Sequence, residues 1–385
     1  MDEITDTAAA AAAAPVASGL RRHRLLLGLA GGTLVLGLAA GAGTALALDG
    51  RTGAPTPLAA ENSVRGASFY PPVPSSASPS GLQTPAVAAS PDQLAGMVTI
   101  DTVLGYQSAA AAGTGMILTS NGLVLTNNHV VEGSTSIQVT DETTGQTYTA
   151  EVVGTDATHD VAVLQLQGAS GLTPVTLDKD TGVGTGDTVT AIGNADGTGS
   201  LVAAAGTVVA TDQSMTASDE SGSNPETLNG LIEFSADVVG GDSGGALVDS
   251  QGEVVGMTTA ASNSQNSVVA YAIDISDALT VAIQIEQGVD NADIVQGYPP
   301  FLGVSLSQDG SSTIAGVVQG TPAESAGLAA GDTITSVDGT AISTAAELSA
   351  AIAAHKPGDE LTLTWTGADG SSSSATASLV AGPAA

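Results

Sequence analysis

The chain has 385 residues, 42% of them apolar and only 2% aromatic, with 39 acidic residues against 7 basic ones and no cysteine. That length holds two domains with appendages, and the missing thiols exclude disulfides, thiolate catalysis and cysteine-ligated zinc. The net charge of −32 falls almost wholly after residue 91, where Lys179 and Lys356 are the only bases. Such a surface argues against nucleic acid or anionic lipid as a direct ligand, since both are polyanions.

Residues 1–24 form a short tail ending in Arg21, Arg22, His23 and Arg24, and an uncharged apolar run follows from Leu25 to Leu48. As a helix this run would reach about 36 Å at 1.5 Å per residue, enough for the ~30 Å hydrocarbon core of a bilayer. The arginines predict a cytoplasmic tail and place everything after Leu48 outside. The rival reading is a cleaved signal peptide, because Ala45, Leu46 and Ala47 fit a small-residue cleavage site. The length of the run favours one transmembrane helix, and both readings export the protein. Residues 49–91 carry eight of the sixteen prolines among Ser and Ala, which predicts a disordered, extended linker.

From residue 92 to about 290 the sequence turns to short alternating apolar runs separated by Gly, Asn, Asp and Thr, the texture of an all-β domain. The sharpest stretch is Gly241-Asp242-Ser243-Gly244-Gly245. A serine hydroxyl is a weak nucleophile that needs a base, an orienting acid and N–H donors for an oxyanion. The glycines open the backbone for a substrate carbonyl to approach the N–H groups of Gly241 and Ser243. Only four histidines are present, which shortens the search for the base. His129 closes an apolar strand at an Asn-Asn-His corner, and Asp160 heads the strand-like run Val161 to Leu166. His159 is read as an exposed neighbour, because adjacent strand residues face opposite ways. No His-Glu-x-x-His or similar cluster occurs, so no metal and no cofactor are expected.

The order His129, Asp160, Ser243 is the chymotrypsin order, and five blocks carry a closer resemblance. These are Gly113 to Leu118, Thr126-Asn127-Asn128-His129-Val130-Val131, Asp160 to Leu164, Ala191-Ile192-Gly193-Asn194 and Gly241 to Leu247. The segment resembles the trypsin-like serine proteases of HtrA/Deg type. The resemblance implies a chymotrypsin-like pair of six-stranded barrels with the triad in the cleft between them. It also implies a ligand-sensing loop at the polar stretch 211–230, with a plain surface loop as the alternative. Asp237 stands six residues before the nucleophile, at the base of the primary substrate pocket in trypsin-like enzymes, where a carboxylate selects a basic residue. Relatives of HtrA type carry a small apolar residue there, and the competing reading is that Asp237 merely fixes its own turn.

A second domain is expected over residues 298–382. Its blocks are Phe301 to Val304, Gly320 to Leu328, Gly331 to Ile334 and Val337-Asp338-Gly339. A helix from Ala345 to Ala354 follows, opened by a Thr344/Glu347 capping box, with Leu348 and Ile352 on one face. The pattern resembles a small α/β PDZ domain, which implies that the Leu302-Gly303-Val304 backbone captures C-terminal carboxylates while the peptide adds as a strand. The whole reads as a membrane-tethered extracytoplasmic endopeptidase acting on misfolded or exposed proteins. A protease-derived chaperone or PDZ scaffold with little turnover is the alternative. Oligomeric state stays open: the family's homotrimers use an aromatic-rich N-terminal segment, and only Phe69, Tyr70 and Tyr106 are near here.

Overall fold

The computed structural model describes residues 84–385 apart from 108, 180–181, 218–225, 265–266, 290 and 292. The apolar run 25–48 and most of the 49–91 linker therefore lie outside the described residues. Among the described residues no helix is long and apolar enough to cross a membrane.

Twelve antiparallel strands close into two barrels of six. In the first, Gln146–Asp156 pairs Ser136–Asp141, then Met97–Leu104, Ala109–Ile117, Leu123–Thr126 and Val161–Leu166, which returns to Gln146–Asp156. In the second, Val202–Ala217 pairs Glu226–Ser235, then Ser267–Asp274, Val254–Ser264, Ala246–Val248 and Thr188–Gly193, which returns to Val202–Ala217. Leu123–Thr126 and Val161–Leu166 are nearly continuous apolar runs because both of their faces are covered, whereas Ser136–Asp141 alternates buried and exposed residues. Val161 and Val163 enter a core shared between the barrels, where they meet Met257 and Ile192, whereas Ala162 and Leu164 fill the first barrel with Ile100 and Val139. Phe234 centres the second barrel among Val189, Leu247 and Ala272. With so few aromatics each aliphatic carries more of the packing, and Leu125→Ala at a fully buried site would cost about 2–5 kcal/mol.

The barrels recruit segments from both sides. Val87 and Ala88, inside the stretch read as disordered linker, pair with Ala203 and Val202. Val87 suits a strand, and the side of Val202–Ala203 left open by the pairing with Ile192 and Gly193 supplies hydrogen-bond partners despite the prolines around this segment. Beyond the barrels, α1 is the single turn Asn128–Val131, and α2 is Ile275–Glu286, which lays Ala278, Val281, Ala282 and Ile285 on the shared core. Strand Ile294–Gln296 then pairs with Gln146–Asp156. The stretch 211–230, read as a loop, is mostly a hairpin continuing the second barrel, with Ala217 opposite Glu226. Its Thr residues suit a pleated surface, and the Thr216 and Thr227 hydroxyls bond across it at 3.1 Å.

The C-terminal region has its own core of Leu302, Ile314, Ile334, Leu348, Leu363 and Trp365. A four-stranded sheet runs in the order Thr340–Ala341, Thr333–Val337, Glu360–Thr366, Ser372–Ser378, with two short ribbons beside it. Helix α3 is Pro322–Ala326, closed by Gly327 in the left-handed region at φ 86°, and α4 is Ala345–Ala353. The capping box forms as expected. The Thr344 hydroxyl accepts the Glu347 N–H, and the Glu347 carboxylate accepts the Thr344 N–H. That carboxylate is held below its ordinary range, chiefly by the Ser343 backbone N–H.

Candidate active site

The three residues picked from the sequence come together. His129 rides on α1, and its Nδ1 lies 2.9 Å from Asp160 Oδ2 and 3.0 Å from Oδ1. Its backbone N–H also donates to Asp160 Oδ1 at 3.0 Å. Asp160 is buried and takes a third donor in the Thr259 hydroxyl. A carboxylate held by those donors fixes the orientation and tautomer of the imidazole. The Ser243 hydroxyl donates to the Thr259 carbonyl at 3.3 Å.

Asp160 does not begin the strand. It ends the turn before Val161 with φ 54°, a left-handed conformation that costs a non-glycine residue about 1–3 kcal/mol. The compensation is local: Asn127, fully buried, donates its side-chain N–H to the Asp160 carbonyl at 2.9 Å. His159 lies in the same turn, with Nδ1 2.8 Å from Asp156 Oδ2 and its side chain 56% exposed. It is separated from the site by this turn rather than by strand alternation.

The loop around Ser243 is held by its carbonyls. Gly240 C=O accepts the Asp196 N–H at 2.7 Å, Gly241 C=O accepts the Thr114 hydroxyl at 2.8 Å, and Ser243 C=O accepts the Thr114 N–H at 2.9 Å. Among the described residues the N–H groups of Gly241 and Ser243 meet no protein acceptor. Two unclaimed N–H donors beside Ser243 are what an oxyanion site requires. Gly241 has φ 96°, and a Cβ there would sit 2.2 Å from the Asn194 carbonyl oxygen. At Gly244 a Cβ would meet the Thr114 carbonyl oxygen at 2.1 Å, so neither position accepts a side chain.

Asp242 is the electrostatic outlier. It is buried, with Oδ2 taking the Val239 N–H at 2.9 Å and Oδ1 without a partner. Burial lifts its pKa to about 7 against the lowering by that N–H, and Asp196 and Asp237 raise it further. Asp237 is half-buried, and its Oδ2 accepts the Ala86 N–H at 3.3 Å. In the second domain Leu302 is buried, and its carbonyl accepts the Ala323 N–H. Gly303, at φ 90°, turns the chain into strand Val304–Leu306 and gives its carbonyl to the Val318 N–H. Three residues that sequence reasoning passed over complete the site: Thr114, Asn127 and Thr259. Two of them stood inside the quoted blocks, and only their positions beside His129 and Gly113 signalled them.

A family model described as a trypsin-like peptidase domain matches residues 113–257, and one described as a PDZ domain matches 300–376. A probable periplasmic serine protease do/HhoA-like of Haemophilus influenzae is 35% identical over 66% of this chain and 55% of its own. The periplasmic pH-dependent serine endoprotease DegQ of Escherichia coli is 33% identical over 65% and 55%, and the serine protease PepD of Mycobacterium tuberculosis is 33% identical over 72% and 62%. The chain thus spans little more than half the length of the curated relatives it matches. With both domain matches lying where the barrels and the second core are found, the chain belongs to the trypsin-like serine proteases of HtrA type, with a PDZ domain after the peptidase domain.

Proposed function

We propose that this chain is an extracytoplasmic serine endopeptidase that cuts misfolded or exposed proteins, with Ser243, His129 and Asp160 as its triad. The observation that carries the reading is the His129–Asp160 pairing beside a nucleophile loop whose carbonyls from Gly240 to Ser243 are each turned to other partners. Before attack the Ser243 hydroxyl turns from the Thr259 carbonyl to His129. Its Oγ bonds to the scissile carbonyl carbon while His129 Nε2 takes the proton, and Asp160 stabilises the resulting imidazolium. The Gly241 and Ser243 N–H groups hold the oxyanion. Collapse breaks the C–N bond, His129 gives its proton to the leaving amine, and water then frees the acyl group by the same steps. The Leu302 to Val304 segment captures peptide C-termini.

A scaffold with little turnover would have no use for two open oxyanion donors, which favours the enzyme. Asp237 remains the candidate selector of a basic residue before the cut, in competition with its bond to the Ala86 N–H. A serine-directed fluorophosphonate should label the wild type and not Ser243→Ala, and that variant should lose on the order of 10⁶ in turnover. Unlabelled wild type, or undiminished hydrolysis by the variant, would overturn the assignment. A peptide-library profile made with the same enzyme should show Arg or Lys before the cut and move toward Val, Ala or Leu in Asp237→Ala. Aliphatic residues alone in the wild type would remove Asp237 from the pocket.

A further inference from the structure

The end of the described chain returns to the helix that carries the catalytic base. After Ser372–Ser378, Val380 and Ala381 pair with Phe301 and Pro300, and the Gly382 N–H donates to the Pro299 carbonyl at 2.8 Å. The chain then leaves the PDZ domain. Ala384 accepts the Gly133 N–H at 2.8 Å and donates its own N–H to the Ser134 carbonyl at 2.9 Å. Ala384 is 3% exposed and joins the buried cluster that includes Val130 and Val131. Gly133 and Ser134 are the exit of α1, whose second residue is His129.

A single helical turn has no stability of its own. At its front α1 is held through the bonds of His129 to Asp160, and its valines sit in the barrel core. At its back the chain turns on Gly133, at φ 74°, where the two bonds to Ala384 clamp the turn. Pro383 has a fixed φ, which stiffens the short link between the PDZ ribbon and this clamp. Beside it the boundary between the domains is loosely filled. The Tyr106 and Phe301 rings meet at 5.0 Å between centroids, and a cleft of about 360 Å³ opens between Tyr106, Ile137, Tyr298 and Ala381. The paired backbone at Ala384 is therefore the firm joint of this region.

We propose that residues 380–385 are a strap through which the PDZ domain sets the position of α1, with Ala384 as a positioning residue for His129. The inference rests on the peptidase reading above. Because a shift of about 1 Å in a reacting group can cost on the order of 10² in rate, the strap acts on turnover more than on substrate binding.

The test uses the full chain. Ala384→Pro deletes the N–H that reaches Ser134, and Ala384→Asp drives a charge into the buried site. Both should lower kcat per fluorophosphonate-labelled site about tenfold with KM changed little, and both should move the acid limb of the pH–rate profile, which reports the imidazole. Ala384→Ser should restore wild-type kcat. A variant that loses thermal stability while keeping wild-type kcat and pH profile would overturn the strap and leave only a structural contact. If Ala384→Asp does not fold, Ala384→Pro and removal of residues 382–385 give the same readouts. Wild type that neither labels nor hydrolyses would instead sink the peptidase reading itself.

Discussion

Next to Ser243 stands a carboxylate that no cation among the described residues answers. Asp242 keeps one oxygen on the Val239 N–H and leaves the other buried without a partner. Its pKa is lifted from 3.8 to about 7, so between those values the folded chain holds a proton that the unfolded chain releases. Stability contributed by the neutral acid is complete below pH 4, is lost as pH rises through 7, and stays lost above it. Asp242→Asn should remove that slope. In urea titrations the variant should match the wild type near pH 4 and exceed it at pH 8 by about 4 kcal/mol at most. A wild type equally stable at both pH values relative to the variant would show that Asp242 is ionised throughout.

Three separate elements must agree for the triad to form, and Asn127 ties two of them. It donates to the carbonyl of the acid turn and accepts the Gly244 N–H at 2.7 Å from the nucleophile loop. Asn127→Leu keeps the branched shape and removes both bonds, leaving the Asp160 carbonyl buried and unpaired. Stability should fall by about 1–3 kcal/mol and kcat by on the order of 10-fold to 100-fold, read by urea unfolding and a peptide assay. Unchanged kcat would mean that Asp160 keeps its strained φ without this support. The three residues proposed as the triad could be picked from the sequence because the chemistry permits few residue types and only four histidines were on offer. The clamps could not. Thr114 and Asn127 act through side-chain hydrogen bonds to backbone, and Thr259 through its hydroxyl on the Asp160 carboxylate, while in sequence a buried Thr is indistinguishable from any other strand former. The turn at Asp160 was missed for a similar reason: the strand pattern begins at Val161, and nothing in the pattern marks a left-handed residue. Residues 382–385, Gly-Pro-Ala-Ala, have no periodicity at all, so their docking on α1 appears only in three dimensions.

For the molecule as a whole, charge and address belong together. The acidic excess lies on the folded domains, while the arginines flank the apolar run 25–48. If that run is kept as an anchor, the protein should stay with membranes through a high-salt wash and retain its N-terminus by mass spectrometry. A new terminus at Leu48 would establish the signal-peptide alternative.

Barrel closure also bears on how such an enzyme survives its own company. A peptidase cleft must draw substrate backbone into an extended form, and in a closed barrel most of each strand is already hydrogen-bonded to its neighbours, with the edges left over at Val202–Ala203 and Gly154–Asp156 covered by short strands. In the peptidase domain the two six-stranded rings are complete, and short strands at Val87–Ala88 and Ile294–Gln296 lie on their outsides. Copies of this domain therefore make poor meals for one another while folded. Self-digestion falls on chains that have lost the fold, so the proposed action on misfolded proteins would extend by the same criterion to misfolded copies of this one.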